Sequence, residues 1–147
     1  MNGLKLAQAV RIIDTALAEA RQRELAPLAV AVLDTGGNLV AFQREDRAGI
    51  ARYPIAYGKA WGALGMGYGT AELADRAERS LAFFTAITAA SGGRMIPSPG
   101  GVLIADADHG VIGAVGVSGD SGDNDEACAV AGIAAAGLTA VPGAVGG

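Results

Sequence analysis

Between two short β-type runs, LAVAVL and NLVAF, the chain places Asp34-Thr35-Gly36-Gly37, and this tight turn constrains the fold more than any other feature. Glycine reaches the positive φ that such a turn needs, so the flanking runs fold back on one another as an antiparallel hairpin. A second turn, Ala107-Asp108-His109-Gly110, separates GVLIAD from VIGAVGVSG in the same way. Strands joined by tight turns build an antiparallel sheet, because parallel neighbours need long crossover connections.

The rest of the chain supplies helices to cover that sheet. In LKLAQAVRIIDTALAEARQREL, Leu6, Val10, Ile13, Leu17 and Ala20 recur at spacings of three or four, which predicts an amphipathic helix ended by Pro27. Helical spacing returns from Pro54 through Ile55, Lys59, Ala63 and Met66. Gly58, Gly62, Gly65, Gly67 and Gly69 lie on the same stretch, and each weakens a helix by up to about 1 kcal/mol, so this helix requires something packed closely on it. Thr70 opens a further short helix, and SLAFFTAITAA forms another that ends at Ser91-Gly92-Gly93. A short strand is predicted at Arg94–Ile96 and a last helix from Asp123 to Ala136, with residues 136–147 an irregular tail. The expected fold is α+β, a five-stranded antiparallel sheet packed with helices.

Length and charge bound the function. A chain of 147 residues is expected to form a single domain, 1–147, with a core sufficient without disulfides. Although 51% of residues are hydrophobic, no apolar run reaches the 18 or so needed to span a bilayer. Lys5, Arg11 and Asp14 interrupt what would have to be an apolar signal core, so a cytoplasmic protein without a membrane partner is expected. The net charge of -4 and the lack of Lys/Arg clusters argue against nucleic acid as a partner. One cysteine and one histidine support neither an internal disulfide nor a structural metal site. Twenty-three glycines and a mean hydropathy of +0.35 in so small a chain point instead to a homo-oligomer.

Three stretches could carry chemistry. In GVSGDSGDNDEACAVAGI, Ser118 and Gly119 lead to a helix whose free N–H groups could hold a small anion, or Ser121 and Asp123 simply cap it with Asp125 and Glu126 in the first turn. Cys128 on that helix reads as a small buried residue. In IPSPGGVLI, Gly100 and Gly101 either leave the backbone bare for a ligand or form a turn or bulge. Lys59, set among apolar and small residues, either snorkels to water or faces a pocket with Tyr53, Tyr57 and Trp61, which core packing explains equally. His109 occupies a turn tip. Met66 and Met95 could ligate haem iron, though gap filling is the commoner use.

Taken together, LAVAVLDTGGNLVAF, AYGKAWGALG, GGVLI and VIGAVGVSGDSGDNDEACAVAGI resemble the GlcG/HbpS family, the haem-degrading domain family also found as the C-terminal domain of PduO-type proteins. The resemblance covers roughly Leu4 to Ile133. It implies a profilin-like fold, assembly into dimers or higher oligomers, and haem as the candidate cofactor. Lys59, Gly100, Gly101, Ser118, Gly119, Asp125 and Glu126 become the pocket candidates. The sole histidine sits in the outer hairpin, so the resemblance comes without an evident axial imidazole. Two functions follow: a haem, tetrapyrrole or small-ligand-binding protein with Lys59 pairing a propionate, or a cofactor-free enzyme on a small organic acid. In the second, Lys59 and the glycine N–H groups hold an oxygen while Asp125 or Glu126 moves a proton.

Overall fold

The computed structural model describes residues 3–143. The elements run α1 (Leu6–Gln22), β1 (Ala29–Asp34), β2 (Leu39–Arg44), α2 (Arg52–Met66), α3 (Thr70–Arg79), α4 (Leu81–Ala90), β3 (Gly101–Asp106), β4 (Gly110–Ser118), α5 (Gly122–Ala135) and β5 (Thr139–Val141). The five strands form one sheet in the order β2-β1-β4-β3-β5, every neighbouring pair antiparallel. The α+β fold is therefore the one that the two turns predict. Gly37 carries the positive φ of the first turn, at +78°.

Side chains alternate across the sheet in size as well as direction. Val30, Val32, Val102, Ile104, Val115 and Val117 point to one face and form the main core with α1 and α5. On the opposite face the same strands present Ala29, Ala31, Gly101, Ala114 and Gly116 together with Leu33 and Leu103, and over the small residues α2 lies almost against the backbone. A Cβ at Gly116 would stand 1.9 Å from the carbonyl oxygen of Ala56, and one at Gly101 2.3 Å from that of Lys59. The glycines and alanines of that face thus admit a helix at close range.

The glycines within α2 serve its outer side. A Cβ at Gly58 would lie 2.3 Å from the Arg94 carbonyl oxygen, and Gly62 faces Met95 and Leu73. The Arg94–Ile96 segment that lies there is not a strand, contrary to expectation: it straps over α2, with the Ile96 N–H donating to the Gly58 carbonyl at 3.2 Å. The fifth strand comes instead from the segment read as a tail. Thr139–Val141 pairs with β3, Ile104 opposite Ala140, after a turn at Gly137 with φ +76°. Residues 144–147 lie outside the described residues.

The buried stripe of α1 also differs from the predicted one. Ala9, Ile12, Ile13, Ala16 and Ala20 face inward, while Leu6 and Val10 are 61% and 39% exposed. Gly132 of α5 packs so closely on α1 that a Cβ there would come 2.4 Å from the Ile12 carbonyl oxygen. None of the described residues forms a helix long and apolar enough to cross a membrane.

Candidate functional site

Lys59 projects from α2 past the end of the sheet toward α5. Its Nζ donates to the Val117 carbonyl at 2.9 Å and to Asp125 Oδ2 at 3.1 Å, with the two side chains 4% and 1% exposed. Asp125 Oδ1 accepts the Asp120 N–H at 2.9 Å. Gly100, at φ +126°, leaves the notch through which the lysine passes, since a Cβ there would lie 2.9 Å from Nζ. Burial pushes the Lys59 ammonium below its ordinary pKa and the Asp125 carboxyl above its own, each opposed by the charge of the other. The spacing that made these residues candidates has brought them together, in the interior.

Their predicted companions are engaged in other bonds. The Gly101 N–H donates to Thr70 Oγ1 at 2.7 Å, and the Gly100 carbonyl accepts from the Val117 N–H. Ser118 Oγ accepts from Arg52 Nη1 at 3.1 Å. Gly119 packs against Pro27, whose carbonyl oxygen would be 2.3 Å from a Cβ. Glu126 is half-buried, and burial together with neighbouring Asp123 raises its carboxyl pKa. Tyr53 and Tyr57 stand at the start of α2, the Tyr53 ring edge-on to Phe42 at 4.7 Å. The Tyr57 hydroxyl donates to the Gly37 carbonyl at 3.0 Å and so anchors the first hairpin turn.

At the start of α5 the capping alternative describes the local bonds. Ser121 Oγ accepts the Asn124 N–H, and Asp120, which the spacing did not single out, holds the loop together. Its carboxylate accepts from the Ser121 N–H, the Asn124 side-chain amide and the Ala26 N–H, all at 2.8–2.9 Å, and these donors, the Asn124 amide foremost, bring its pKa down to about 2. Cys128 is fully buried, and burial drives its thiol up to about 11. His109 stays on the outer turn, Nδ1 3.3 Å from Asp106 Oδ1. Among the described residues no group of three or more His, Cys, Asp or Glu could hold a metal ion.

Open space lies elsewhere. A polar groove of about 560 Å³ runs between Arg21, Pro27 and the Arg44–Arg47 loop, where Arg21 and Glu45 pair at 3.1 Å. A second groove, about 460 Å³, is lined by Met66, Tyr68, Phe83 and Phe84 with Arg76 and Arg79 at its rim. It shares Met66 with an adjoining apolar cavity of about 240 Å³ lined by Trp61, Ile87 and Met95. The Arg76 guanidinium lies over the Tyr68 ring at 4.3 Å and donates to Glu72 at 2.9 Å, while Arg79, largely exposed, stands 3.6 Å from Asp75. Neither Lys59 nor Asp125 lines any of these spaces, nor a fourth of about 160 Å³ beside the first hairpin turn. Sequence reasoning missed this arginine-rimmed groove, because Met66, the arginines and the phenylalanines lie on three successive helices, with Tyr68 between the first two, and converge only through the turns at Gly67 and Ser80.

Comparison with known proteins places these features in a lineage. The model of a family described as haem degrading protein HbpS-like matches residues 4–134. Among solved structures, the PduOC:heme complex superposes with a TM-score of 0.83 at 26% identity, over 92% of this chain and 96% of that one. The Klebsiella pneumoniae protein ORFY gives 0.84 at 26%, over 93% and 92%. A double mutant of Streptomyces reticuli HbpS gives 0.76 at 31%, over 91% and 87%. No curated protein sequence matches significantly.

Proposed function

Because the chain belongs to the HbpS-like family of haem-degrading proteins, we propose that it holds haem or a related tetrapyrrole in the groove formed by the end of α2 with α3 and α4. The observation that carries this reading is the make-up of that groove, in which Phe83 and Met66 stand with the guanidinium groups of Arg76 and Arg79, beside Glu72 and Ser80. Its 460 Å³ falls in the range of small-molecule sites, about 300–1,000 Å³, and it continues into the apolar cavity beside Trp61. Phe83, largely exposed, would cover one face of a planar macrocycle, and Arg79 would meet its carboxylates. Met66 and Tyr68 are the iron-ligating side-chain types that line it. The haem of the PduOC complex supports the ligand class. Bound haem would supply one-electron chemistry at iron.

Trp61 is the only tryptophan and lines the adjoining cavity, so its fluorescence reports on the site. Titration with ferric haem should quench it saturably. Loss of an aromatic anchor or of a carboxylate partner costs about 1.4 kcal/mol or more, so Phe83→Ala and Arg79→Glu should each weaken binding about tenfold. Quenching that does not saturate, or that is identical in both variants, rules out the groove.

A second reading rests on the buried pair. Lys59 and Asp125, 3.1 Å apart and both pushed toward their neutral forms, are an acid–base couple of the kind used on small organic acids, with Glu126 beside them on α5. A substrate would have to part α2 from α5 to reach it. Turnover found in a screen of small carboxylic acids, and abolished in Lys59→Met under conditions where circular dichroism shows the variant folded, would establish this reading over the first.

We further propose that the protein works in the cytoplasm as a homo-oligomer, a second copy covering α4. That helix is uncharged from Leu81 to Ala90, yet Leu81 and Phe83 are 70% and 58% exposed.

A further inference from the structure

We infer that the groove between α1 and the end of β2 binds a small doubly charged oxyanion, a phosphate ester or a dicarboxylate, through Arg44 and Arg47. The inference is independent of the haem-binding reading, since this groove shares no residue with the one at the end of α2. Its volume of about 560 Å³ suits a small metabolite. Of its three arginines, Arg21 is committed to the wall: its Nε lies 3.1 Å from Glu45 Oε2, and its Nη2 donates to the Ala26 carbonyl at 2.9 Å. Glu45 Oε1 accepts the Leu28 N–H at 2.8 Å, so that carboxylate is satisfied on both oxygens and its charge is balanced. Arg44 and Arg47 line the same space and form no ion pair among the described residues. Asp46, between them in the chain, is likewise unpaired there. The groove therefore carries two unpaired positive charges and one negative, in a chain whose net charge is -4.

The backbone at Arg47 supports the same assignment. The Ala48 N–H donates to the Glu45 carbonyl at 3.1 Å and closes a β-turn whose central residues are Asp46 and Arg47. Arg47, the third residue of that turn, has φ +73°. Glycine or asparagine is preferred at such a position, because a side chain there strains the backbone. Of the ten positive-φ positions among the described residues, glycine fills eight, and the exceptions are Arg47 and Glu24 just past the end of α1. A chain so rich in glycine thus keeps an arginine where glycine would relax the turn, and that arginine lines a groove. Strain retained at one residue points to a use for its side chain. A guanidinium offers a planar fork of N–H donors that matches carboxylate and phosphate oxygens, so two of them facing one space fit a ligand with two negative charges. Leu17 and Pro27 leave an apolar flank for its carbon skeleton.

The test titrates inorganic phosphate and succinate separately into the full chain and follows amide NMR signals, with sodium chloride at matched ionic strength as the control. At least one of the two should shift the signals of residues 44–48 saturably, with a dissociation constant on the order of 1 mM or tighter. Phosphate alone assigns a phosphate ester, succinate alone a dicarboxylate, and both together the shared oxyanion chemistry. Arg47→Gly relaxes the turn, so it should hold or raise the urea midpoint while weakening binding about tenfold. Arg44→Gln should weaken binding to a similar extent, and Asp46→Asn, which removes the opposing charge, should strengthen it about threefold. A lower urea midpoint in Arg47→Gly shows that the arginine serves the fold and overturns its role as a ligand. Shifts that do not saturate with either anion, that chloride reproduces, or that persist unchanged in both arginine variants overturn the site and leave the haem reading as it stands.

Discussion

The Lys59–Asp125 pair shows how a single contact can tie a fold together while contributing little net energy. Removing one partner of a buried ion pair strands a charge and costs about 3–5 kcal/mol, whereas replacing both with apolar residues is often neutral. Lys59→Met and Asp125→Asn should therefore each lower stability to urea by about that amount, and Lys59→Met with Asp125→Leu by much less. A double variant as unstable as the sum of the singles would show that the two groups contribute independently, with no coupling between them. Asp120 behaves differently, because its pKa is depressed. Folded at about 2 against an ordinary 3.8, it binds fewer protons than the unfolded chain between those values. Its contribution is present above 3.8 and is lost as pH falls toward about 2. Acid unfolding followed by circular dichroism should be less steep over that window in Asp120→Asn, and an unchanged slope would show that its three donors do not govern the acid limb. The residue type and spacing of Lys59 and Asp125 were legible in the sequence. Their closure was not, because burial depends on Gly100 in the turn before β3 and on Val117 of β4.

Among elements, those announced by local chemistry appeared where the turns and spacings placed them, and those decided by partners did not. Asp34 to Gly37 encodes its own hairpin. Arg94–Ile96 has strand-like residues but faces Gly58 of α2, whose carbonyl takes its N–H. Thr139–Val141 looks too small and broken to form structure, yet β3 offers it an open edge. The predicted stripe on α1 followed its large apolar residues, whereas the buried one is centred on Ile12, whose backbone meets Gly132 of α5. The same closeness governs α2. Gly116→Ala places a methyl group where Ala56 stands and should cost about 3 kcal/mol, the upper end for overpacking. Gly137→Ala meets no neighbour within 4 Å and bears only the left-handed backbone penalty of about 1 kcal/mol. Equal midpoints for the two in urea would mean that α2 can lift from the sheet freely.

At the scale of the whole molecule, the glycine-rich helix no longer argues for association, since the chain itself covers α2 on both sides. What remains is α4, an uncharged helix of ten residues of which Phe84 alone is buried. An apolar helix is ordinarily enclosed, and the groove that α4 borders opens on the same side. Covering α4 with a second copy would remove Leu81 from water and complete a wall of that groove. Leu81 does not line the groove, so a charge there tests assembly without touching the proposed ligand site. Leu81→Glu should shift the mass from light scattering to that of the monomer while haem still quenches Trp61. At about 25 cal/mol per Å² of apolar surface, a leucine buried at the contact contributes about 2 kcal/mol per copy, and burying a charge in its place costs more. Dissociation on dilution should therefore begin at a concentration at least about tenfold higher in the variant than in the wild type. A wild-type protein that scatters as a monomer at micromolar concentration would leave α4 exposed and remove the second copy; an oligomer unaffected by Leu81→Glu would move the contact to another face.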